Sequence, residues 1–419
     1  MNLIFKNAVI IDKESTFHNK QADIIVADGI IKQIGQKLTA GDGFEVVELN
    51  GLHISQGWFD SSVSLGEPGY EDRETIANGL NVAAMSGFTD IALQPNANPI
   101  ADSQSHISFL KAKGGGHAAN LHPIGALTKG SEGKDIAEMY DMANAGAVAF
   151  GDYNKSQQDA GLMKIALQYV QDFDGLVIAY CQDEKIKGKG VVHEGAVSTR
   201  LGLKGIPALA EELMVARNLS VLEYTGGKMH IPTISTAGSV KLIKEAKAKG
   251  LNVTCSVAVH HLILTHEVLT GFDSRYKIAP PLRPESDRQA LIAAVKDGTI
   301  DIITSDHNPI DIENKKLEFD LAKDGTIGLE SAFGALMTVL PVDVIVEKLT
   351  AGKAIFRVET NKIAEGATVS FTLFSTEGES TFTKENILSK SKNSAFLGQP
   401  VKGKVYGIYN NGKLVLNNK

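Results

Sequence analysis

Polar groups that stop apolar runs are the first places to look for chemistry, because a buried strand that ends on one presents it to a cleft. Asp306 stops the run Ile300 to Ser305, Asp152 closes Gly146 to Asp152, Tyr180 falls near the end of Leu176 to Cys181, and Asn96 lies just past Phe88 to Gln94. Ser62 and Ser64 are two apart within Trp58 to Leu65, a spacing that puts both on one face of a strand. Thr233 holds a similar place in Lys228 to Ile234, and His260 and His261 follow Asn252 to Val257. A catalytic zinc asks for about three imidazole, thiolate or carboxylate ligands, with one position left for water. Asp152 and Asp306 without imidazole fall short of that set, and serine hydroxyls are poor zinc ligands. His230 is an odd step from Thr233 and is expected to face the other side of its strand. Asp60 and Glu67 read as structural or solvated groups.

The runs that carry these residues alternate with helix-like segments of ten or more residues, from Trp58 onward through the middle of the chain. That alternation predicts an α/β fold with a parallel sheet, and about 300 residues suit a (β/α)8 TIM-like barrel, whose working groups lie at the C-terminal ends of the strands. The barrel is expected over residues 56–364. Both ends of the chain have a different texture of short alternating strands: Leu3 to Ile11, Ala22 to Ala27, Ile30 to Ile34 and Phe44 to Glu48, then Thr368 to Phe374, Gly403 to Tyr409 and Lys413 to Leu416. Asp28-Gly29 between two such runs is a hairpin signal. Residues 1–55 and 365–419 are therefore expected to join in a small β-sandwich.

Composition narrows the class. The 419 residues carry a formal net charge of −7, the sequence pI is about 5.9, and no basic run occurs, which argues against nucleic-acid or anionic-membrane partners. No window nears the roughly 18 apolar residues of a membrane span. Met1 to Asp12 lacks the apolar core of a signal peptide. Cys181 and Cys255 are too few for a disulfide framework or a cysteine zinc site, so a reducing cytoplasm is the expected setting.

Several motifs carry a resemblance. Leu65-Gly66-Glu67-Pro68-Gly69 with Glu74-Thr75-Ile76 resembles the end of the first barrel strand of dihydroorotases, in the amidohydrolase superfamily. The likeness continues through Ala145 to Phe150, Asp159 to Met163, Leu201-Gly202-Leu203, Ser235-Thr236, His260-His261-Leu262, Pro280-Pro281-Leu282-Arg283, Asp297 to Asp301, Asp306-His307 and Gly328-Leu329-Glu330. It implies one or two zinc ions held by a first-strand His-x-His pair, a fourth-strand lysine or aspartate, histidines ending strands five and six, and an aspartate ending strand eight. At those imidazole positions this chain has Ser62, Ser64, Tyr180 and Thr233. Asp306 remains, with Asp152 or its neighbour at the fourth strand. The substrate-binding arginine, asparagine and histidine are Gly66, Ala279 and Ile310 here, while Asn96 is retained. Loss of a guanidinium removes a bidentate carboxylate clamp.

The resemblance with these departures implies a catalytically silent dihydroorotase-like protein of pyrimidine biosynthesis, without zinc, acting as a structural partner of aspartate transcarbamoylase. A homo-oligomer is also expected. Two alternatives stand beside it: an active dihydroorotase or related cyclic amidohydrolase with an atypical metal site, and a small-molecule sensor whose emptied pocket is lined by Asn96, Asp152, Tyr180, His261 and the vestigial Asp306.

Overall fold

The computed structural model describes residues 1–39 and 41–417. Residues 40, 418 and 419 belong to the expected terminal unit and lie outside the described residues.

The strands Trp58–Val63, Phe88–Leu93 and Asn120–Pro123 pair in parallel. So do Val177–Ile178, Met229–Ile231, Val253–Ala258 and Ile302–Thr304. Phe150 bridges Gly125 on one side and Val177 on the other, and Val63 bridges His307, so the two arcs close into the (β/α)8 ring. The fourth strand, expected over Gly146 to Asp152, is thus reduced to a bridge at Phe150. The turn after helix Met139–Asn144 consumes its start, with Gly146 at φ 105°, and Tyr153 at φ 56° turns the chain out of its end. The sixth strand is also shorter than expected. It stops at Ile231, because Pro232 has no N–H to pair and Thr233 turns to φ 48°.

Side-chain alternation divides the barrel into two layers. Trp58, Ile91, Leu121, Phe150, Val177, Met229, Ile231, Cys255 and Ile303 face the surrounding helices. Phe59, Ala92, Ile124, Ala149, Ile178 and Ile302 fill the interior with Phe356. Near-continuous burial of the strands is what a parallel sheet covered on both faces requires. Several of the barrel helices begin at side-chain caps that satisfy otherwise orphaned N–H groups. Thr75 accepts from Asn78 N before Ile76–Met85, Asp159 from Gly161 N and Leu162 N before Ala160–Tyr169, and Thr236 from Ser239 N before Ala237–Ala248.

Both chain ends build one hydrogen-bonded sheet of eight strands. Its order is Lys413–Leu416, Pro400–Asn410, Phe371–Thr381, His53–Gln56, Leu3–Ile11, Gln21–Ala27 and Ile30–Gly35, with Glu45–Val47 paired to Leu3–Ile11. Its core holds Leu3, Phe5, Ile24, Phe371 and Tyr409. The hairpin turn has Asp28 at φ 53° and Gly29 at φ 72°, the pair of positive angles that a two-residue I′ turn demands. Between Phe371–Thr381 and Pro400–Asn410 the chain leaves this sheet and straps the barrel. Glu74 Oε2 accepts from Lys390 N (2.8 Å), Glu330 Oε1 accepts from Ser389 N (2.9 Å), and Asn393 Nδ2 donates to Asn308 O (3.0 Å).

Candidate active site

At the C-terminal mouth of the barrel, Ser62 ties two carboxylates together. Its N–H donates to Asp60 Oδ1 (3.0 Å) and its hydroxyl to Asp306 Oδ1 (2.8 Å). Gln94 Nε2 donates to Ser62 Oγ at 3.2 Å. Asp60 also accepts from the Thr304 hydroxyl and from Ser305 N at 2.9 Å, so it fastens the first strand to the eighth. Burial pushes the Asp306 carboxyl up to about 7; nearby Asp60 adds to the rise and the Ser62 hydroxyl opposes it. Burial raises Asp60 as well. Ser64 is paired with the Asn96 amide at 2.8 and 3.1 Å. Both serines are therefore committed to neighbours.

Tyr180, Thr233 and Asp306 line the same small void, with Ser62, Gln94, Tyr153, Asn154, Ile178, Pro232 and Ala279. The void has about 10 Å³ open to the centre of a water molecule, the least that holds one water. Burial, with the nearby carboxyl of Asp306 at Tyr153 and of Glu211 at Tyr180, pushes both phenols well above their ordinary range. Tyr180 Oη and Gln94 Oε1 are buried without a hydrogen-bond partner. Three residues at strand ends around the mouth, Tyr153, Thr233 and Asp306, have φ of 56°, 48° and 48°. Such left-handed angles cost bulky or β-branched residues on the order of 1 kcal/mol each and cluster at functional sites.

The other expected pocket residues lie apart from this void. Asp152 turns to the loop after the third strand, where it accepts from Leu127 N (3.0 Å), Thr128 N (3.1 Å) and the Thr128 hydroxyl (2.6 Å). Its neighbours Tyr153 and Asn154 take the mouth instead. His261 is buried with Nε2 at 3.3 Å from Pro281 O, and burial brings it down to about 4. His230, expected to face outward, points into the barrel. It lies between outward Met229 and Ile231, and its ring nitrogens meet the hydroxyls of Thr254 (2.9 Å) and Ser256 (3.1 Å). The odd-step count from Thr233 fails because the strand ends between them. Burial lowers His230 to about 3 and keeps it neutral. Tyr153, Asn154, Gln94 and Pro232 escaped the sequence reading; the only pointer to Tyr153 was its place beside Asp152.

Loops hold the mouth shut. Gly66 N donates to Glu74 O (3.0 Å) and Tyr70 N to Gly66 O (2.8 Å), so the 66–74 loop folds back on itself. A Cβ at Gly66 would lie 1.8 Å from Tyr70 O and 2.8 Å from Glu74 O. Arg73 Nε pairs with Asp311 Oδ2 at 3.3 Å and joins this loop to the one after the eighth strand. That second loop is pinned by Lys315, whose buried ammonium donates to Lys277 O (2.8 Å), Lys323 O (3.0 Å) and Gly325 O (2.8 Å). Asn393 holds it from the strap, donating to Gly325 O at 3.2 Å and accepting from Ile310 N at 3.1 Å. A larger cavity, about 320 Å³, lies between Asp12–His18 and the helix Val342–Thr350 and shares no residue with the mouth.

The zinc of the resembled family finds no matching donors here. Ser62, Ser64, Tyr180 and Thr233 stand at the positions that the resemblance assigns to imidazoles. Among the described residues no group of three or more His, Cys, Asp or Glu could hold a metal ion.

A closed parallel barrel with its terminal sheet is an architecture shared with solved hydantoinases. The L-hydantoinase (dihydropyrimidinase) from Arthrobacter aurescens matches with a TM-score of 0.86 at 20% identity, over 99% of this chain and 96% of that one. A solved D-hydantoinase matches with a TM-score of 0.83 over 100% and 96%. The fold is thus the closed (β/α)8 barrel with a terminal sheet that those structures share. Residues 52–239 match the family described as Dihydro-orotase-like. A protein named Dihydroorotase from Pelotomaculum thermopropionicum is 41% identical over 100% of this chain and 99% of its own length. Another of that name, from Caldanaerobacter subterraneus subsp. tengcongensis, is 38% identical over 97% and 95%. The chain belongs to the dihydroorotase-like family. No helix among the described residues is long and apolar enough to cross a membrane.

Proposed function

We propose that this chain is a catalytically silent member of the family, a structural partner of aspartate transcarbamoylase in pyrimidine biosynthesis. The carrying observation is the hydroxyl of Ser62 bound to Asp306 at 2.8 Å, where the family has an imidazole on a metal. In a zinc hydrolase of this type the metal lowers the pKa of its water to about 7 and polarises the amide carbonyl. Here the donor set that would supply such a nucleophile is missing, and the surviving aspartate is buried among hydroxyls. Gly66 supports the same reading, since the closed loop admits no side chain where a substrate-binding guanidinium would stand.

Purified protein is expected to carry less than stoichiometric zinc and to leave dihydroorotate unhydrolysed. It is expected to co-elute with, or alter the assembly of, the aspartate transcarbamoylase of its own cell. Stoichiometric zinc with turnover overturns the silence, and independent elution of the two proteins overturns the partnership. The names of the relatives favour a second reading, a working cyclic amidohydrolase, which the same turnover assay separates from the first.

A further inference from the structure

We infer that Tyr153 is an internal occupant of the barrel mouth, a gate whose ring fills space that a small planar ring bearing one polar group would otherwise take. The inference stands apart from whether the protein is silent. Two voids of about 10 Å³ each flank this residue, and both are lined by Tyr153, Asn154, Ala279 and Asp306. One continues to Ser62, Gln94, Tyr180 and Thr233, and the other to Asn308, Asp324 and Thr326. The Tyr153–Asn154 wall is thus common to two spaces that would merge without it.

The closed arrangement is imperfect in two respects. Tyr153 is held at φ 56°, an angle that suits glycine better than a bulky residue. Two polar atoms of residues lining the first void, Tyr180 Oη and Gln94 Oε1, are also buried and unpaired. A ring that entered in place of Tyr153 could satisfy them. Asn154, next in the chain, is exposed, so the segment has room to carry the ring outward. The chemical class of occupant follows from what is displaced: a six-membered planar ring with one hydroxyl, the phenol itself being the minimal match.

The full-length chain with Tyr153→Gly, which also suits the positive φ, is the test, with p-cresol as the probe. Calorimetry is expected to show saturable one-to-one binding to Tyr153→Gly, at least about tenfold tighter than to the wild type, and p-cresol is expected to raise that variant's melting temperature. Tyr153→Phe keeps the ring and is expected to bind no better than the wild type. If Tyr153→Gly does not fold alone, p-cresol added during refolding is expected to recover it, and failure to do so counts against the gate. Equal binding by all three proteins, or none by the glycine variant, overturns the inference. Zinc and turnover in the wild type would remove the proposed silence yet leave this result untouched.

Discussion

Replacing Asp306 by asparagine isolates the energetic consequence of a carboxyl buried beside a second one. In the folded protein burial raises Asp306 to about 7, against about 3.9 for an unfolded aspartate. Between those values the folded state holds a proton that the unfolded state has released, so stability contributed by this group is complete below about pH 3.9 and is lost as pH rises through about 7. Three pK units correspond to about 4 kcal/mol. Asparagine cannot ionise but can still accept from the Ser62 hydroxyl. Asp306→Asn is therefore expected to match the wild type near pH 4 and to exceed it by up to about 4 kcal/mol at pH 8, with the gap opening mainly between pH 4 and 7. Urea unfolding followed by the fluorescence of Trp58, the only tryptophan and fully buried, measures the difference at each pH. A gap that is constant with pH, or one that widens toward acid, refutes the reasoning.

Other perturbations test the closure of the mouth. Gly66→Ala forces a methyl against backbone carbonyls that cannot yield locally, so overpacking and two strained loop hydrogen bonds are expected to cost about 2–4 kcal/mol, read by urea unfolding. Stability within about 0.5 kcal/mol of wild type would show the loop to be pliable. Lys315→Met removes three hydrogen bonds and leaves Lys323 O without its donor, while Lys277 O keeps Gly325 N and Gly325 O keeps Asn393 Nδ2, with an expected loss of about 3 kcal/mol. Amide exchange over residues 311–325 should quicken in that variant, and unchanged protection there would refute the pin. His230→Phe removes an imidazole that burial holds near 3. Because the wild type loses stability as pH falls from about 6.5 toward 3, its deficit relative to this variant should grow on acidification, and an unfolding series in pH would expose the opposite trend.

The barrel was legible because its signals are local. Buried parallel strands read as apolar runs, with helix-like segments alternating between them. The Asp28-Gly29 hairpin was equally plain. The mouth was legible in part: the imidazole-free positions Ser62, Tyr180 and Thr233 do converge on Asp306. What escaped depends on the sign of φ at single residues and on contacts between distant segments. Pro232 and Thr233 end the sixth strand early, so counting alternate faces back to His230 gave the wrong side. Asp152 and Tyr153 are adjacent, and only the turn between them decides which enters the mouth. Nothing near Gly66 announces that Tyr70 and Glu74 close over it, and nothing near Asn393 announces its hold on Asn308 and Gly325.

The pairing of Gln56 with Phe371 in the terminal sheet has a consequence for biosynthesis. Roughly 300 residues must leave the ribosome between these partners, which at about 5–20 residues per second takes about 15–60 s. For that interval the strand His53–Gln56 presents an unpaired edge, the kind of template that invites pairing with another chain. A newborn molecule is thus vulnerable at its beginning until its end has been made, and truncated products lacking Phe371–Thr381 are expected to collect in inclusion bodies, as a solubility comparison of full-length and shortened chains would reveal.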